Sequence, residues 1–224
     1  MLHLGNAMKM VHVSRSRLGL LVWASTATIS TVVALVSYRY LVGQGPVPPN
    51  IAANRHFDPW IAVHAAGAAT ALLLGPWQFR PRLRVRWPFL HKCIGRIYAL
   101  GCASGGLAAL VLATGLSSGP VAGAGFAALG LAWLITTGLA VREVLAGRIA
   151  PHRRWMIRSF ALTLSAVTLR IYLPLSDVFN VEFLTAYRTI AWACWLPNLL
   201  LAELFLWRRP TSVLFAHPVT TSKE

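Results

Sequence analysis

Two histidines and the arginines beside them carry the clearest chemistry in the chain. His91 and His152 each stand at the start of a long apolar segment, with Arg96, Arg153 and Arg154 within a few residues of them. Imidazoles brought in from two helices at equal depth are what bis-histidine ligation of a haem iron requires, and guanidiniums alongside would neutralise the propionates. Gly95 and Ser159, on the same faces, are small enough to leave room for a porphyrin plane. His91 and His152 are therefore candidate metal ligands, and haem b is the candidate cofactor. Two other readings stand beside this one: interfacial His and Arg solvated among headgroups under the positive-inside rule, or contacts to anionic lipid or quinone.

A second set lies deeper. His64 falls about four residues into the second apolar segment and Arg170 about fifteen along the fifth, which at about 1.5 Å per residue puts both near the opposite boundary. Within a bilayer such groups cost roughly 3 kcal/mol or more unless paired or watered, so they mark function by default. Gln78 shares a helical face with His64. If His64, Arg170 and Gln78 line a cavity, they suit an anionic or quinone-like ligand. The structural alternatives are an interhelical hydrogen bond from His64, and pairing of Arg170 with Asp177, Glu182 or a backbone carbonyl.

Other chemistries find no support. There is no G-x-S-x-G, H-E-x-x-H, phosphate-binding loop or dinucleotide fingerprint. Cys93, Cys102 and Cys194 form no metal-ligand spacing and read as small packing residues. Glu203 and Arg158 fall at one depth and are expected to form an ion pair, while Glu143 reads as a helix-end residue.

The elements that hold these groups follow from composition. With 56% hydrophobic and 12% charged residues and a mean hydropathy of +0.59, the chain is an integral membrane protein. Its net charge of +15 belongs to topology and not to nucleic acid, because the basic clusters alternate with apolar runs of about 20 residues. The fold class is all-α: one membrane domain over 1–224, a bundle of six spans at about 18–38, 60–79, 94–114, 121–141, 155–173 and 186–207. The first run is long and lacks a small-x-small site before the loop, so it should remain as an anchor.

Lys9, Arg15 and Arg17 precede the first run; Arg80, Arg82, Arg84, Arg86, Lys92 and Arg96 lie between the second and third. Arg142, Arg148, Arg153, Arg154 and Arg158 lie between the fourth and fifth, and Arg208, Arg209 and Lys223 follow the sixth. One side thus takes most of the 21 Lys and Arg residues, which makes it cytoplasmic and puts both termini there. Small residues show how the helices meet: Gly67, Ala71 and Gly75 with His64, Gly95, Cys102 and Gly105 with Tyr98, and Ser159, Thr163 and Ala166 between His152 and Arg170. Pro197-Asn198 should kink the sixth helix.

The strings H-x-x-G-x-A-x-x-x-L-L-L-G-P-W-Q-F from His64 to Phe79, L-R-x-R-x-P-x-x-H-K-x-x-G-R-I-Y from Leu83 to Tyr98, and H-R-R-W-M-I-R-S from His152 to Ser159 resemble a family of predicted bacterial multi-pass membrane proteins, domain of unknown function 2306. The resemblance covers about 60–175 and implies a helical protein of the bacterial inner membrane. It places His64, Gly75, Pro76, Gln78, Phe79, Arg84, His91, Gly95, Arg96, His152, Arg154, Trp155 and Arg158 at the family's motif positions, and it implies no activity. Lys92 stands where the pattern has Arg, which keeps the charge but loses the planar fork.

The functional expectation is a membrane protein that binds haem b or a quinone between its helices and acts in electron transfer. The alternatives are a small transporter or anionic-lipid-binding protein using His64, Arg170 and the Arg80 to Arg86 turn, and a structural or assembly partner with no ligand of its own.

Overall fold

The computed structural model describes residues 17–208 except 44 and 46. Lys9, Arg15, Arg209 and Lys223, on which part of the orientation argument rests, lie outside the described residues. The order is α1 (Arg17–Ser37) with a 3-10 turn (Tyr38–Leu41), α2 (Pro49–Ala52), α3 (Phe57–Gln78), α4 (Pro81–Arg86), α5 (Pro88–Thr114), α6 (Pro120–Leu145), α7 (Ile149–Thr163), α8 (Ser165–Val178), α9 (Phe183–Ala193) and α10 (Leu196–Trp207). There is no strand among the described residues. Six helical stretches are long and apolar enough to cross a membrane: α1 with its turn, α3, α5, α6, α7 with α8, and α9 with α10. In hydrocarbon only a helix satisfies its own backbone, which is why these runs adopt no other form.

Prolines open several of these helices. Pro81, Pro88, Pro120 and Pro197 stand in the first turns of α4, α5, α6 and α10, where a missing N–H leaves nothing unsatisfied. The segment before α6 needs Gly119, whose φ of +90° favours glycine. Two helices begin earlier than their apolar runs. Pro88 starts α5 and Ile149 starts α7, so His91 and His152 lie within first turns, their N–H groups bonded to Trp87 O at 3.0 Å and Arg148 O at 3.1 Å. A hydropathy pattern ends at the hydrocarbon edge, whereas a helix continues into the headgroups.

The sixth span breaks before Pro197, between α9 and α10. Asn198 Nδ2 donates there to Cys194 O at 3.1 Å and to Thr168 Oγ1 at 3.0 Å, so its side chain satisfies a carbonyl left over at the break. The fifth span is interrupted at Leu164, where α7 passes into α8. On α9, Glu182 caps the first turn through Leu184 N at 2.9 Å and Thr185 N at 2.7 Å. Hydrogen bonding from Thr185 and Leu184 holds the Glu182 carboxyl below the usual carboxylate range.

The most extensive helix pair is α3 with α5. A Cβ on Gly67 would lie 2.5 Å from Gly101 O, one on Gly101 2.7 Å from Gly67 O, and one on Gly105 2.9 Å from Ala68 N. The backbones are in direct contact, as small residues permit in lipid. Around this seam α6 packs on both α5 and α7, and Tyr98, Cys102, Trp133, Phe160, Leu162 and Cys194 fill the core. α1 lies outside, held by Trp23 Nε1 to Pro76 O at 2.9 Å and by Tyr38 Oη to Thr70 Oγ1 at 2.8 Å.

Gly67→Val forces the α3–α5 seam apart and should destabilise the protein by about 1–3 kcal/mol. Gly138, whose Cβ would meet nothing within 4 Å, should tolerate Ala with a gain of about 0.5–1 kcal/mol. Thermal unfolding of the two variants in one detergent checks both outcomes.

Candidate functional site

At the end of the bundle away from most arginines, a partly enclosed cavity of about 230 Å³ lies between α3, α5, α6, α7, α8 and α9. Its walls are chiefly apolar, with His64, Arg170, Asn54 and Thr163 among the polar exceptions. His64 reaches it because α3 and α5 touch: Nδ1 donates to Gly105 O at 2.9 Å across that seam. With Nδ1 carrying the proton, Nε2 keeps its lone pair and can accept from a ligand.

Arg170 sits on the rim. Its Nη1 donates to Ala166 O at 2.9 Å and its Nη2 to Ser37 Oγ at 2.8 Å. Among the described residues it meets no carboxylate, and neither do Arg39, Arg55 and Arg188. Arg188 instead donates to Ser118 O at 3.1 Å and Arg55 to Thr114 O at 3.3 Å. His64 thus makes an interhelical bond and also borders a cavity shared with Arg170. Gln78 does not border that cavity. It lies at the other end of α3, against Gly95.

Beneath the cavity floor runs a set of buried hydroxyls. Thr163 Oγ1 accepts from Trp133 Nε1 at 2.9 Å and bonds Tyr98 Oη at 3.0 Å; Tyr98 Oη bonds Ser159 Oγ at 2.8 Å; Ser159 Oγ bonds Thr137 Oγ1 at 2.7 Å. Cys102, wholly buried, lies in the same part of the core. Ser159, Thr163 and Tyr98 fall on the helical stripes that the small residues define, but Thr137 and Trp133 on α6 carry no such signal.

The basic end gathers a different set. Arg84, His152 and Arg153 lie within Coulombic range of His91. His152 Nδ1 donates to Ala140 O at 2.8 Å, which leaves its Nε2 open. His91 Nδ1 and Gln78 Nε2 are buried without a hydrogen-bond partner. Burial, and next the Arg153 charge, pull the Arg84 pKa below the ordinary arginine value.

The other predicted arginines separate from this group. Arg154 lies by Glu203, and Arg96 is exposed. The expected ion pair is present, with Arg158 Nη2 and Glu203 Oε2 2.8 Å apart and the guanidinium 4.6 Å from the Trp155 ring. Glu143 is more than a helix-end residue: only 4% exposed, it accepts from Arg142 and Arg148 at 2.9 and 3.1 Å. The bond to Glu143 raises the Arg148 pKa.

Among the described residues no three His, Cys, Asp or Glu side chains converge as for a metal ion. Neither the cavity nor a lipid-facing groove between α1, α8 and α10 reaches His91 or His152.

The family model described as predicted membrane protein (DUF2306) matches residues 61–206. The chain belongs to that family. The match takes in His64, the hydroxyls, both basic-end histidines and Arg170, while Ser37 and Asn54 of the cavity lie before the matched region. No curated protein and no solved structure matches the chain.

Tyr98→Phe should cost about 1–2 kcal/mol, because it strips a partner from both Ser159 and Thr163 in the buried core. Unfolding of the variant in detergent measures this, with Tyr38→Phe as the peripheral comparison.

Proposed function

We propose that the protein holds a quinone-type ring in the cavity beside His64 and Arg170 and acts in electron transfer at a membrane. One observation carries the reading: an apolar cavity whose rim has an arginine facing no carboxylate and whose wall has a histidine with Nδ1 already bonded. Arg170 has N–H groups left to donate to a ring carbonyl, and His64 Nε2 accepts from a ring hydroxyl, so the oxidised and reduced ring each find a partner. The size agrees. An apolar cavity of about 150 Å³ takes up benzene, and about 230 Å³ suits a substituted single ring. With the arginine-rich end in the cytoplasm of a bacterial cell, the cavity opens on the outer side of the inner membrane.

A short-chain benzoquinol or benzoquinone at a hundredfold excess over its Kd should stabilise the detergent-purified protein by about 2.7 kcal/mol, a rise of several degrees in unfolding temperature. His64→Ala and Arg170→Gln should each weaken that binding at least tenfold. Stabilisation by a fatty acid and not by either ring would replace this reading with the anionic-lipid one.

A second reading, haem between His91 and His152, has its own support. The His152 Nδ1–H bond to Ala140 O is the kind of outer bond that orients a ligating imidazole, and the unpartnered His91 Nδ1 is a donor atom in want of a partner. Arg84 and Arg153 supply the positive charge that propionates need. When bound, the haem would supply one-electron chemistry. Protein expressed with haem precursor should show a Soret band that sharpens on dithionite reduction and is lost in His91→Ala and His152→Ala. A colourless protein rejects this second reading and leaves the first untouched.

A further inference from the structure

We propose that the hydroxyls of Thr163, Tyr98, Ser159 and Thr137 form a proton path that joins the cavity at His64 to His91 at the basic end. The proposal rests on the cavity itself and not on what occupies it.

The hydrogen-bond pattern determines which way each proton points. Thr163 Oγ1 donates its only proton to Ser159 O at 2.9 Å, so in its bond with Tyr98 it must accept. Tyr98 therefore donates to Thr163 and has no proton left for Ser159. Ser159 then donates to Tyr98, and Thr137 donates to Ser159. Three of these hydroxyls, on three helices, thus point one way, from the basic end towards the cavity, while Thr163 points back to Ser159 O. None is more than 5% exposed. For packing alone Phe, Ala and Val would serve at these positions without the cost of taking hydroxyls out of water.

Both ends lead to imidazole side chains. Thr163 and His64 border the same cavity. At the other end, His91, Gly95 and Tyr98 recur at i, i+4 and i+7 on one face of α5. Gln78 lies against Gly95, between that histidine and that tyrosine. Gln78 is 8% exposed, and its Nε2 and His91 Nδ1 are buried with no partner. Buried polar atoms left in this way are where internal water sits. Water in the space at Gln78 would join His91 to the hydroxyls, whereas the bond of His152 to Ala140 O, one turn beyond Thr137, only orients that imidazole and passes no proton on.

The transfer balances without a redox partner. A proton arriving at Thr137 displaces its hydroxyl proton to Ser159, that of Ser159 passes to Tyr98, and that of Tyr98 to Thr163. Thr163 turns from Ser159 O and releases its proton to the cavity. One proton enters, one leaves, and the hydroxyls rotate back.

Full-length protein in liposomes, with a potassium gradient clamped by valinomycin and a pH dye inside, tests the path. The wild type should take up protons at least tenfold faster than protein-free vesicles, with no matching sodium flux. Tyr98→Phe and Thr137→Val should each cut the rate at least tenfold while eluting as folded protein, and Tyr38→Phe should leave it unchanged. Should Tyr98→Phe not fold, Ser159→Ala breaks the chain at the next bond. A wild type no faster than empty vesicles, an equal sodium leak, or a folded Tyr98→Phe or Ser159→Ala that conducts like the wild type would each overturn the proposal.

Discussion

The contact of Gly67 with Gly101 and Gly105 is the constraint on which the rest of the structure depends. Two helix backbones meet there with no side chain between them, and in lipid, where burying apolar surface gains nothing over the solvent, such contact supplies much of the association energy. The same approach carries His64 to Gly105 O. That bond decides the tautomer of the histidine that borders the cavity. The seam also holds Tyr98 in the middle of the bundle, because the face of α5 that meets α3 continues into the core.

Charge is handled differently at the two ends. At the basic end, carboxylates answer some of the arginines: Glu143 takes Arg142 and Arg148, and Glu203 takes Arg158. At the cavity end, the described arginines are met by carbonyls and hydroxyls. A carbonyl satisfies an N–H without neutralising its charge, so Arg170 keeps an attraction for a partially or fully negative ligand atom. The two acids that might have cancelled it do other things or lie elsewhere: Glu182 caps α9, and Asp177 makes no ion pair among the described residues.

Between these ends the interior is polar along a narrow line. Thr137, Ser159, Thr163 and Tyr98 satisfy one another and Trp133, while Gln78 and His91 leave one atom each unanswered. A fully bonded network rigidifies a core, whereas an unanswered atom beside it marks a place for water. The coexistence of both on one face of α5 sets this region apart from packing.

The sequence by itself determined the class, the six spans and the family, and it assigned the described histidines and arginines to one end of the bundle or the other, because hydropathy and 1.5 Å per residue translate into position along a helix. It also placed the Arg158–Glu203 pair and the break near Pro197, since both are local in depth or in chain. What only the tertiary structure decided is which groups at one depth share an interior. His64 and Arg170 do; Gln78, though on the His64 face, belongs to the basic end because that face runs the length of α3. Arg153 joins His91 and His152, but Arg154, one residue on, turns about 100° around the helix to Glu203. Thr137 and Trp133 were beyond reading, since their only mark is what stands opposite them, and the lateral order of helices in a bilayer is set by packing that hydropathy does not encode.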